Sequence, residues 1–136
     1  MATTPLEHTS RALLLAIARC AEEGSHANPG GTAFFVRRDG EEIELGVRAL
    51  DPDLHPTLEL RGFVAPDDWW AFGLVVHGTA TFYEEDRCER IVTTYFRSRD
   101  GDEVSLLRRG DDVQEMPEGC IGRIPDLLRS VLGSRP

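Results

Sequence analysis

Thr32-Ala33-Phe34-Phe35-Val36-Arg37-Arg38-Asp39-Gly40-Glu41-Glu42-Ile43-Glu44-Leu45-Gly46-Val47-Arg48-Ala49 is the run on which the fold turns. Asp39-Gly40 separates two alternating segments, and a two-residue type I′ turn needs positive φ at both central positions, which Asp and Gly tolerate. The predicted register pairs Arg38 with Glu41 and Arg37 with Glu42, setting opposite charges across the ladder. Continuing inward, it places Val36 opposite Ile43, Phe34 opposite Leu45 and Thr32 opposite Val47. One face of the hairpin is then uniformly apolar, so turn chemistry, charge and pattern agree on two antiparallel strands from Thr32 to about Ala49.

Upstream, Thr4-Pro5-Leu6-Glu7 combines a capping-box pattern with proline at the first helical position. Leu6, Leu13, Leu14, Ile17, Cys20 and Ala21 follow at helical spacing, predicting a helix from about Pro5 to Glu23 with Glu7, Arg11, Arg19, Glu22 and Glu23 outside. Downstream, Leu58 to Val64 reads as a third strand weakened by Gly62, and Pro66-Asp67-Asp68 as a turn carrying Trp69 and Trp70. A long strand follows from Phe72 toward Tyr83, both of whose faces hold apolar residues, with Gly78 marking a bulge or a close approach. Strands over Arg90 to Ser98 and Glu103 to Arg109 flank Asp100-Gly101, where two- and three-residue loops both give plausible partners. Gly110 to Glu118 reads as a polar loop, and Ile121, Ile124, Leu128, Val131 and Leu132 mark a final helix.

The expected architecture is a single α+β domain over residues 1–136, a mostly antiparallel sheet of five to six strands with N- and C-terminal helices packed on it. The element order resembles that of profilin-like and roadblock-type folds and of small acidic secretion chaperones. The likeness lies in order alone and carries no motif.

Composition narrows the chemistry. The net charge is −9, which repels phosphate backbones and anionic lipid, so neither nucleic acid nor membrane is an expected partner. All 15 basic residues are arginine. A Schiff-base amine, a P-loop lysine and a kinase-type lysine are therefore excluded, while anion binding through guanidinium forks stays open. Cys20, Cys88 and Cys120 are scattered, with no C-x-x-C spacing, which predicts neither a disulfide framework nor zinc and fits a reducing, cytoplasmic setting. Cys20 and Cys120 read as core residues and Cys88 as an exposed loop cysteine.

No catalytic constellation emerges. His77 reads as a half-buried strand histidine beside Thr79 and Thr81, Asp51-Pro52-Asp53 as a turn without metal, and Gly30-Gly31 as a loop without a following helix. Glu41, Glu42 and Glu44 read as a solvated sheet edge. The adjacent indoles of Trp69 and Trp70 stand out, because an exposed tryptophan is typical of interfaces. The expected function is accordingly a non-catalytic, self-associating protein- or peptide-binding or regulatory module without cofactor or metal. Its binding surface is expected at Asp67, Asp68, Trp69 and Trp70 with an adjoining sheet edge. The alternative is a small enzyme or ligand-binding domain with His77, Tyr83, Tyr95 and Arg97 around one pocket.

Overall fold

A computed structural model describes residues 6–28, 30–39, 42–60, 62–82, 87–116, 129 and 132. Helix α1 spans Leu6–Ser25, and six strands follow: β1 Thr32–Asp39, β2 Glu42–Ala49, β3 Trp69–Phe82, β4 Arg87–Ser98, β5 Glu103–Arg109 and β6 Asp112–Glu115. A one-turn helix, α2 (Pro56–Glu59), lies between β2 and β3. The strands form one antiparallel open sheet in the order β2-β1-β3-β4-β5-β6. The fold is thus α+β, one N-terminal helix packed on a six-stranded sheet. The expected C-terminal helix falls on residues outside those described, apart from Arg129 and the buried Leu132.

The hairpin forms, but two residues out of the predicted register. Val36 faces Leu45, Phe34 faces Val47 and Arg38 faces Ile43, so the strands close at Asp39 opposite Glu42. The residues between them are therefore Gly40 and Glu41, which lie outside the described set. Gly-X is also a favoured two-residue hairpin sequence. A two-residue shift keeps each side chain on its predicted face, which is why the apolar pattern alone did not distinguish the registers.

Three further expectations need correction. Leu58 to Val64 is not a strand: Pro56 starts α2, whose backbone accepts the Leu58 and Glu59 N–H groups at His55, and Gly62 takes φ 75°. The Gly110 to Glu118 loop instead contains β6, entered through Gly110 at φ 64°. Gly78 pairs with Ile91 in an uninterrupted ladder, and the irregularity of β3 lies at its start. At Asp100-Gly101 the three-residue loop is the one adopted, with Ser98 N–H donating to Asp102 and Gly101 at φ 96°.

Two apolar clusters sandwich the sheet. On one face α1 lies across β3, β4 and β5. Leu14, Ala18 and Ala21 there meet Phe34, Val36, Ala71, Val75, Phe96, Val104 and Leu106. Cys20 is exposed and Glu22 is buried, the reverse of the prediction. The helix rolls so that Ser10, Leu14, Ala18, Ala21 and Ser25 face inward, and Glu22 is accepted because Arg108 receives it. The second face is filled by Leu50, Leu60, Ala65, Trp69, Phe72, Leu74, Val76 and Leu132.

Candidate functional site

The corner between residues 65 and 70 brings both tryptophans onto the sheet by a β-bulge. Val36 faces Ala71 but Arg37 faces Trp69, which leaves Trp70 as the extra residue. Without that insertion, adjacent strand residues would point to opposite faces and the alternation from Ala71 would direct Trp69 toward α1. With it, Trp69 turns to the face away from the helix and Trp70 to the helix side.

Trp69 is 7% exposed and stacks on Phe35, with centroids 4.4 Å apart, and on Phe72. Its indole N–H has no acceptor among the described residues. Trp70 is half-buried: its N–H donates to Asp100 at 2.9 Å and the Arg38 guanidinium lies 4.9 Å over its ring. Asp67 and Asp68 are exposed, and Asp68 pairs with Arg37 at 2.8 Å. Arg99 holds the corner from below. Its fork donates to the carbonyls of Trp69, Ala65 and Pro66 and to that of Leu132.

Beside this corner lies the outer strand β2. A helix is about 10 Å across, whereas strands repeat every ~4.8 Å, so one helix covers two or three strands of six. α1 sits over β3 to β5, and the helix-side residues of β2 extend past it into water. Ile43, Leu45 and Val47 are 37%, 43% and 58% exposed. The opposite side of β2 is closed by the Phe35 ring, which lies over Gly46 where a Cβ would collide with it. Trp69, Phe35 and Gly46 thus connect the corner to the outer strand. A depression of about 650 Å³ near the β1–β2 hairpin end is lined by Arg37, Arg38, Asp39, Glu42, Ile43, Glu44 and Asp68.

The three outward aliphatic residues of β2 were missed as surface features because the hairpin pattern marks them as core.

The residues of the alternative pocket do not converge. His77 is exposed and shares the α1 side with Val75, whereas Tyr95 and Arg97 stand opposite Leu74 and Phe72 on the other face. Tyr83 lies outside the described residues. His77 instead joins His26, Arg90 and Arg108 around a depression of about 550 Å³ at the end of α1. Arg108 is committed there to Glu22, with its Nη2 donating at 2.8 Å. That hydrogen bond, outweighing the opposing effect of burial, raises the Arg108 pKa and keeps the guanidinium charged.

Cys88 is exposed as expected, though it belongs to β4 and not to a loop. Among the described residues no three His, Cys, Asp or Glu side chains cluster as metal ligands, and no helix is long and apolar enough to cross a membrane. Neither a family model, nor a curated protein, nor a solved structure matches the chain.

Proposed function

We propose that this chain is a non-catalytic binding module that associates with protein or peptide partners, and with itself, through the outer strand β2 and the adjoining Asp67–Trp70 corner. The observation that carries the reading is the apolar row of Ile43, Leu45 and Val47 on a strand whose outer backbone edge pairs with no other described strand. Such an edge offers unsatisfied N–H and C=O groups to an incoming strand, and alternate side chains give that strand its specificity. Within this reading Trp69 supports the surface from inside, and Trp70, Asp67 and Asp68 form its rim. The acidic charge, the exposed cysteines and the absence of lysine fit a soluble partner in a reducing compartment.

The test is affinity capture from the source lysate with the native chain and a Val47→Glu variant side by side. A partner retained by the native chain and lost from an equally folded variant supports the module. Equal capture by both, or none by either, refutes a role for β2 in binding other proteins.

The alternative, a small-ligand site, draws on the His26, His77, Arg90 and Arg108 depression. Ring-proton shifts of both histidines on titration with inorganic phosphate would favour it, and unchanged shifts would count against it.

A further inference from the structure

The sequence of β2 is complementary to itself. We propose that the chain forms a two-fold dimer in which the β2 strands of two copies pair antiparallel about Leu45, joining their sheets into one of twelve strands. The inference rests on the binding role proposed for β2 and names a second copy as the occupant.

Along β2 the order is Glu42-Ile43-Glu44-Leu45-Gly46-Val47-Arg48. In an antiparallel pair directly opposed residues share a face. A two-fold axis at Leu45 sets Leu45 opposite its own copy and Ile43 opposite Val47, on the side carrying α1. Six aliphatic side chains, 37–58% exposed in one chain, then meet in a single row. On the other side the same axis sets Glu42 opposite Arg48, twice. Glu42 has no ion-pair partner among the described residues, and Arg48 is more than half exposed, with one bond to Glu59 at 3.2 Å. Opposite charges directly across an antiparallel ladder are favourable. Glu44 of the second copy then stands opposite Gly46, whose own face is covered by the Phe35 ring.

Neighbouring registers are worse. An axis at Gly46 would ask Arg48 to meet Glu44, which Arg37 already holds at 3.0 Å, and would leave Ile43 facing Ala49. An axis between residues mixes the faces, setting Ile43 against Arg48 or Gly46. The opposite outer strand, β6, is four residues long and acidic, so pairing of β2 with β6 would not reproduce this match. An isologous contact closes on itself, which leaves no edge to propagate a fibre through β2.

The experiment combines light scattering with directed cross-linking. The native protein should scatter as twice the 15.1 kDa chain. Leu45→Glu, which sets two carboxylates together on the axis, should scatter as a single chain with an unchanged circular dichroism spectrum. In a chain whose cysteines are replaced, Leu45→Cys should oxidise to a covalent dimer, because opposed Cα atoms fall within the 4.4–6.8 Å a disulfide spans. Ile43→Cys should not, its copy lying about 13 Å away along the strand. Native protein of single-chain mass at all concentrations overturns the proposal whatever else the chain captures. So does a doubled mass that Leu45→Glu leaves intact, or cross-linking at residue 43 as efficient as at 45. A dimer that behaves as expected yet captures no other protein supports it and removes only the wider binding role.

Discussion

β6, at one border of the sheet, is a four-residue strand reading Asp112-Val113-Gln114-Glu115, and Arg11 of α1 ties its Glu115 down at 2.8 Å. β2, at the other border, is eight residues long and carries three aliphatic side chains into water. Shortness and charge are the usual means by which a sheet border resists further pairing, and β6 has both. The interior differs in step. Toward β6 the molecule is fastened by ion pairs, Glu22 with Arg108, Glu89 with Arg109, and Glu103 with Arg97 and Arg129. Toward β2 the buried fastening is a stack of rings, Phe35 on Trp69 on Phe72, and the ion pairs there, Arg37 with Glu44 and Asp68 and Arg48 with Glu59, lie at the surface. A border held by aromatic packing keeps its shape without screening by salt, and its outward face can stay apolar and available.

The largest expected effects come from breaking each fastening at its centre. Arg108→Ala leaves Glu22, 1% exposed, as an unpaired buried carboxylate and should cost about 3–5 kcal/mol in urea unfolding, whereas Glu22→Leu with Arg108→Met should be near neutral. Trp69→Ala, which removes the middle ring of the stack, should cost a similar ~3–5 kcal/mol. Added salt should leave both losses nearly unchanged, because the Glu22–Arg108 pair is buried and the ring stack carries no charge.

Gly46→Ala tests the link between stack and border. The added methyl group must displace the Phe35 ring, at an expected cost of about 1–3 kcal/mol, and amide exchange in β2 should accelerate more than in β6. Equal acceleration at both borders would show that Phe35 does not support β2 in particular.

Glu103 gives a smaller, pH-dependent effect. Burial opposes its charge, but the hydrogen bonds and charges of Arg129 and Arg97 outweigh burial and hold its carboxyl below the ordinary glutamate range. Its folded pKa is therefore depressed. The stability it contributes is present above the unfolded value of about 4.3 and is lost as pH falls through the folded value. Glu103→Gln should flatten that part of the stability profile between neutral pH and pH 3, and an unchanged acid limb would remove Glu103 from the fastening.

The smallest effect is expected on the exposed row itself. Val47→Thr, measured at protein concentrations where the chain is single, should change stability by about 0.5 kcal/mol or less. A larger loss would mean that the row is covered within one chain.

Much of the fold was legible because its signals are local. Alternation in Thr32 to Ala49 and in the long strand through Leu74 to Val76, helical spacing through Leu14, Ile17 and Ala21, and glycine at position 101 each act within a few residues. What was not legible depended on distant partners. Glu22 reads as a surface residue until Arg108, 86 residues away, is beside it. Leu58 is the local exception: its alternation suggested a strand, but the neighbouring Pro56 begins a helical turn. The paired tryptophans read as a conflict, since one-residue alternation has no place for a bulge that needs β1 to define it. For the candidate site, the sequence pointed to Asp67–Trp70 with an adjoining sheet edge, and the structure places the exposed row of β2 beside that corner. The sequence assigned the exposed apolar role to the indoles, whereas the coverage of α1 passes that role to Ile43, Leu45 and Val47.

The guanidinium of Arg99 bonds to carbonyls at Ala65, Pro66, Trp69 and Leu132, and its backbone N–H donates to Trp70 at 2.8 Å. Five carbonyls drawn from two distant parts of the chain therefore share one residue as their donor, and a planar fork cannot release one of them and keep good geometry to the rest. The corner and residue 132 should accordingly open as one cooperative unit, a foldon spanning 68 positions of sequence. A proteolytic nick near the C-terminus would then be felt at Trp69 through Arg99 and Leu132, as well as at β5 through the Arg129–Glu103 pair.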